Sequence, residues 1–194
     1  MAGLAAIQAA KALGAVVTAF DVRAAAAEQA EAMGATFLHV ETQESGDGAG
    51  GYAKEMSAEW FQAAEDMLMD QMPKTNVIIT TALIPGRPAP KLITAEHVSA
   101  MPYGGVTVDL AAEAGGNVVT TVPGQVVVLP GNGVTCVGYD NMPSRMASVA
   151  SQLFSGNISK LVLSMDQDEK HVASLSTTLA AFPPRCRTSL LLTR

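Results

Sequence analysis

Asp21 closes the run Val16-Val-Thr-Ala-Phe20 and lies 18 residues after Gly3, which stands at the start of an alanine-rich stretch of helix formers. In a dinucleotide-binding unit, an acidic residue about 20 positions beyond the glycine loop accepts hydrogen bonds from the adenosine ribose hydroxyls. The C-terminal end of a strand is also where open α/β sheets bind their ligands. On that register Gly3 is the third glycine of G-x-G-x-x-G, and the first two glycines and the strand before them fall ahead of Met1. Taken alone the pair is weak evidence, because an aspartate at a strand end also serves as a helix cap or turn residue. A carboxylate there repels a 2′-phosphate and so favours NAD(H) over NADP(H). Arg23 complicates that preference, since an arginine at the same edge can accommodate a phosphate, pack over adenine or meet solvent.

Two further segments could serve such a ligand. Thr80-Thr-Ala-Leu83 follows the clearest strand in the chain, Asn76-Val-Ile-Ile-Thr80, where the second half of a dinucleotide fold meets the nicotinamide through backbone groups and small side chains. Close packing would explain Ala82 equally well. The second segment is Glu41 to Ser57, a strand-to-helix connection far beyond the roughly 2–6 residues of ordinary α/β units. Gly46, Gly48, Gly50 and Gly51 make its backbone easy to reshape, and Tyr52 and Met56 give it something apolar to close with. It reads either as a mobile lid over a ligand or as a solvated surface loop.

Other chemistries find little support. His39, His97 and His171 have no Cys, Asp or Glu at metal-ligand spacing and are expected at the surface or at strand ends, so no metal is assigned. Glu41, Glu44 and Asp47 lack the alternating oxygen ligands of a calcium loop. No local motif suggests a Ser, His and Asp nucleophile arrangement, and no catalytic residue is assigned. Cys136 and Cys186 lack the spacing of a zinc or redox motif; both are expected reduced and one of them buried. A net charge of -6 with no basic stripe argues against nucleic acid, and every apolar run stops short of the roughly 20 residues that cross a bilayer.

The elements that must position these residues follow from periodicity. Ala2 to Leu13 carries an apolar stripe through Leu4, Ile7 and Leu13 and is stopped by Gly14; Val16 to Phe20 is a short buried strand. Ala24 to Met33 is a second helix closed by Gly34, and Thr36 to Val40 a second strand. Ser57 caps a helix that Pro73 ends after Met72. Thr94 caps another to about Met101, Gly105 to Leu110 is a strand, Val118 to Gly138 holds two or three short β pieces, and Met142 to Phe154 is a last helix. This alternation predicts an α/β, Rossmann-like doubly wound parallel sheet covered on both faces, lacking its first strand and the leading phosphate-loop glycines. Residues 1–165 form that partial nucleotide-binding domain, and residues 166–194 a divergent tail expected to be poorly ordered, with room for a short helix near Val172 to Ala181.

Together the segments Ala2 to Ala15, Phe20 to Arg23, Glu44 to Ser57, Thr80 to Arg87 and Val108 to Asn117 closely resemble one family. It is the NAD(H)-binding domain I, the alpha subunit in bacteria, of proton-translocating NAD(P) transhydrogenase, and the resemblance runs from about Ala2 to Met165. Alanine dehydrogenase shares the fold but lacks the long 41–57 segment. The resemblance implies that Asp21, Val22 and Arg23 hold the adenosine end, that Gly51 and Tyr52 close over nucleotide, and that Ala82 and Leu83 line the pocket with Gly3 at the helix start. It implies a cofactor, NAD(H), whose hydride passes to NADP on a separate domain III, coupled to proton movement through membrane domain II. It further implies a homodimer on the cytoplasmic side of a bacterial inner membrane, or the matrix side in a mitochondrion. Family members also carry an N-terminal domain with no counterpart here. The chain is therefore expected to be a fragment that does not catalyse alone and that exposes strand edges prone to association. Two other readings stay open: a degenerate Rossmann fragment acting only in subunit contacts, and an alanine dehydrogenase-like enzyme.

Overall fold

A computed structural model describes residues 2–23, 25–40, 56–84 and 86–165. It divides into two compact units, Met1–Asp140 and Asn141–Arg194, the second described as far as Met165.

In the first unit the expected order of elements holds, with shorter strands. Helix α1 (Ala2–Ala12) ends at Gly14, whose φ of +83° a side chain would strain. Leu4 and Ile7 face a small cluster with Ala30 and Ala35. Leu13, placed on that stripe from the sequence, is 89% exposed: six residues beyond Ile7 it has rotated to the far side of the helix. Strand β1 (Thr18–Ala19) pairs parallel with β2 (Thr36–Phe37), and α2 (Ala25–Ala32) connects them. The predicted five-residue buried strand is thus only two residues long, with Val16 fully in solvent, because β1 is paired along one edge alone.

Helix α3 (Ala58–Gln71) starts where Ser57 Oγ accepts the Trp60 N–H at 3.2 Å, and Pro73 turns its end into a 3-10 helix, Met72–Lys74. Strands β3 (Val77–Thr80) and β4 (Val106–Asp109), the latter reached through α4 (Ala95–Ala100), run parallel, Thr80 opposite Asp109. Beyond β4 the sheet continues with β6 (Thr135–Val137), parallel, and then β5 (Val126–Val128), antiparallel, in the order β3-β4-β6-β5. The parallel pairing is as expected, and the antiparallel edge strand β5 is added to it. The short loop through Pro130-Gly-Asn-Gly133 can only return the chain as a hairpin, since parallel strands need a crossover of a dozen residues or more.

One face of this sheet presents Ile78, Thr107 and Cys136 to a core of Met72, Ile93, Val98, Met101, Val118 and Val134. On the opposite face Val77, Ile79, Val126 and Val128 are exposed, so the predicted covering on both sides is incomplete among the described residues. In the second unit the single predicted helix is two, α5 (Met142–Arg145) and α6 (Ala147–Met165), broken at Met146, whose φ of -122° and ψ of 41° are not helical. The region near Val172 to Ala181 lies outside the described residues.

His97 is not at the surface, as its sequence context suggested, but completely buried on α4. Its Nδ1 accepts the Thr94 N–H at 3.1 Å, which leaves Nε2 to donate to the Glu65 carbonyl of α3 at 3.0 Å. The imidazole therefore caps one helix and ties it to another. His97→Ala removes both bonds and opens a cavity, and is expected to cost about 2–4 kcal/mol in urea unfolding. Thr94→Ala, which loses only the cap, should cost about 1 kcal/mol. Equal costs would refute the clamp.

Candidate functional site

β1 delivers Asp21 to the C-terminal end of its strand, and the chain there is fixed from behind by Phe20, stacked on the buried Trp60 of α3 at 6.0 Å. Arg23 grips the Asp21 carboxylate from two residues away. Its backbone N–H and Nε both donate to Oδ1 at 2.9 Å, and Nη2 donates to Oδ2 at 2.7 Å. Burial pushes the Asp21 carboxyl up, but the hydrogen bonds and charge of Arg23 outweigh it and hold the group below its ordinary value of 3.8. Asp21 is thus an anion with most of its acceptor capacity already in use.

The C-terminal end of β3 is built differently. Thr80 is buried, and the next three residues leave the sheet with Ala82 clamped by one side chain, Asn117. Asn117 Oδ1 accepts the Ala82 N–H at 3.0 Å, while Nδ2 donates to the carbonyls of Ala82 and Pro90, both at 2.9 Å. Asn117 is itself positioned by Asp109 at the end of β4. That carboxylate is 1% exposed and accepts from the N–H groups of Ala111 and Val118 and from Thr121 Oγ1, at 2.9–3.0 Å. Gly116, at φ +79°, lies so close that a Cβ would come within 2.7 Å of Asp109 Oδ2. Only glycine lets the loop from β4 to Asn117 wrap the carboxylate this tightly.

α1 opens against this place. A Cβ on Gly3 would stand 3.3 Å from Thr81 Oγ1, so the first helical turn approaches the end of β3 at backbone distance. That turn carries no acidic residue, and its N–H groups and helix dipole favour an anion. The predicted residues fall into two groups: Asp21, Val22 and Arg23 after β1, and Gly3 with Thr81, Ala82 and Leu83 after β3. Leu83 is half exposed and Ala82 half-buried. Gly51 and Tyr52 lie outside the described residues. Sequence reasoning passed over Asp109 and Asn117 as site-building groups; the signal was an acidic residue at the end of a strand followed by Gly115-Gly-Asn117. Among the described residues no three His, Cys, Asp or Glu side chains converge as metal ligands, and no helix is long and apolar enough to cross a membrane.

The family described as alanine dehydrogenase/PNT, C-terminal domain, matches residues 1–181. The chain belongs to that family. Within this alanine dehydrogenase/PNT family, it is 55% identical over 160 residues to the NAD(P) transhydrogenase subunit alpha of Cereibacter sphaeroides, covering 81% of this chain and 30% of that protein. It is 48% identical over 162 residues to the NAD(P) transhydrogenase subunit alpha of Haemophilus influenzae, covering 84% and 31%. The crystal structure of transhydrogenase from Sinorhizobium meliloti superposes with a TM-score of 0.60 at 40% identity, covering 75% of this chain and 36% of the other. The chain thus spans less than half the length of these relatives, and the Rossmann-like α/β fold is shared with them.

Asn117→Ala strands the Ala82 N–H and the Ala82 and Pro90 carbonyls, and is expected to lower stability by about 2–4 kcal/mol in chemical denaturation. A loss below about 0.5 kcal/mol would show that the clamp contributes little. The Asp21–Arg23 pair is part exposed, so its contribution stays under about 1 kcal/mol. A lowered carboxylate pKa stabilises above the unfolded value and is lost as pH falls through the folded one. The stability gap between the native chain and Asp21→Asn should therefore be constant above about pH 5 and close as pH falls from about 3.8 downward.

Proposed function

We propose that the chain is the NAD(H)-binding part of a proton-translocating NAD(P) transhydrogenase, presenting NADH for direct hydride transfer to NADP+ on a separate domain. The observation that carries this reading is an ionised acceptor, Asp21, at the end of β1, combined with an acid-free helix N-terminus that meets the end of β3 at backbone distance. A dinucleotide has the complementary pattern: a ribose diol at one end and a pyrophosphate near its middle. The identity to relatives named transhydrogenase subunit alpha supports the same reading.

The chain's own residues bind and orient. Asp21 accepts the adenosine ribose hydroxyls, with Val22 and Arg23 beside it; the α1 N-terminus at Gly3 faces the pyrophosphate; Ala82 and Leu83 wall the nicotinamide end. Gly51 and Tyr52 close over the nucleotide and exclude water. NADH, when bound, supplies the hydride. No acid or base on this chain takes part, and the rate comes from holding two cofactors in register. NADP(H) sits on domain III, membrane domain II carries the proton, and two copies of this chain pair on the cytoplasmic or matrix side. Residues 1–165 make up the nucleotide domain and 166–194 a separate tail. The exposed face around Val77, Ile79, Val126 and Val128 favours a second reading, in which the chain acts only in subunit contacts.

Titrating NADH fluorescence separates the two. Nucleotide binding is expected to weaken about 10–100-fold in Asp21→Ala, which removes charge-assisted acceptors, and less in Tyr52→Ala. A folded chain without NADH affinity would leave only the contact reading, and affinity untouched by Asp21→Ala would remove Asp21 from the nucleotide site.

A further inference from the structure

Asn117 carries the pairing of β3 past the end of its sheet. The Thr80 carbonyl still accepts the Leu110 N–H at 3.0 Å, as a sheet residue does. Two residues on, one side chain takes over: the Asn117 amide meets the N–H and the carbonyl of Ala82 together, as the backbone of a neighbouring strand would. The polarity of that contact is fixed, because Oδ1 can only accept, Nδ2 can only donate, and the second Nδ2 proton goes to the Pro90 carbonyl. The described peptide bonds are all trans, so within each planar unit the C=O and N–H point opposite ways. Turning the Ala82 N–H toward Asn117 therefore turns the Thr81 carbonyl away, and turning the Ala82 carbonyl inward turns the Leu83 N–H outward. Neither of these two groups has a partner among the described residues. One acceptor and one donor are left on the side of β3 opposite β4, which no strand covers among the described residues. The first turn of α1 stands beside them, at Gly3 against Thr81.

We propose that Asn117 is a positioning residue for bound nucleotide, selecting which backbone groups of Thr81 to Leu83 reach the ligand. This rests on the reading of the chain as an NAD(H)-binding part whose Ala82 and Leu83 wall the nicotinamide end. Nicotinamide carries a carboxamide, an acceptor and a donor, which is the complement of the open pair. Asn117 itself is fully buried and meets the ligand only through Ala82. The segment needs such a hold, since Leu83 is half exposed and the Ala82 methyl is too small to fix the direction of a peptide by packing. The place of Asn117 does not depend on its amide: its own carbonyl accepts the Leu92 and Ile93 N–H groups at 2.9 and 3.1 Å. Removing the side chain thus frees the Ala82 peptides and leaves the loop anchored. A ligand that stops short of the nicotinamide should not sense the change.

The test compares Kd for NADH with Kd for ADP-ribose, which keeps the adenosine, the pyrophosphate and the second ribose but has no nicotinamide. Calorimetric titrations use the full chain as wild type, Asn117→Ala and His97→Ala, at a temperature where melting curves show all three folded. His97→Ala is the control, expected to lose similar stability through its bonds to Thr94 and Glu65. Asn117→Ser replaces the alanine variant should that chain not fold. Asn117→Ala is expected to weaken NADH about 10-fold and to hold ADP-ribose within about threefold of wild type. His97→Ala should move neither beyond about threefold. Asn117→Ala that leaves NADH within threefold, or weakens both ligands equally, overturns the positioning role and spares the nucleotide site. So does a His97→Ala chain that loses NADH affinity as selectively. A wild type without NADH affinity overturns the nucleotide reading as well.

Discussion

Asp109 brings a charge to the C-terminal end of β4 where solvent does not reach, and a buried charge is tolerated only when fully hydrogen-bonded. Two backbone N–H groups and the Thr121 hydroxyl meet that demand, and in doing so they dictate the path of the chain from Leu110 to Thr121. Gly115 and Gly116 follow in left-handed conformations, and at Gly116 the wrap leaves no room for a side chain. Asn117 emerges at a fixed point, and its amide reaches back to Ala82 and Pro90. The proline-rich run after β3 has no regular structure of its own, so one carboxylate and one amide on the neighbouring strand give it a shape.

Elements whose ends are written in local chemistry were legible in the sequence. Ser57, Thr94, Gly14, Gly34 and Pro73 each act on backbone within a few residues, and each stops or starts a helix where their types require. Features settled by partners distant in sequence were not. His97 is buried because α3 happens to offer a carbonyl 32 residues away, which no spacing around the histidine discloses. The brevity of β1 and β2 depends on which edges are paired, not on their β-branched composition. The antiparallel β5 was readable in principle from the length of its loop, but its valines look the same in either direction.

The site shows the same division. Asp21 stood out because an acid at a strand end, one helix and one turn beyond a glycine, is a recognisable spacing. That its neighbour Arg23 already holds it could not, since proximity in sequence does not reveal side-chain direction. Asp109 and Asn117 were hidden for a further reason: they shape the site through backbone groups of other residues, and a backbone group carries no residue type to recognise.

Among the described residues the first unit has two apolar clusters that share no buried residue. One gathers Ile7, Ala30 and Ala35 beneath α1 and α2; the other gathers Met72, Ile93, Val98, Met101, Val118, Val134 and Cys136 around the four-stranded sheet. Burying a large aliphatic side chain stabilises by about 1.5–3 kcal/mol, and alanine adds far less, so the first cluster is much the weaker. Asp21 hangs from that weaker half, while Ala82 is tied to the stronger. Amide protons of α1, α2 and their two short strands thus exchange through a cheaper opening than those of β4 and β6, as separate cooperative units do. Ligand that bridges the two ends must couple them, so occupancy and the folding of the smaller half become one equilibrium.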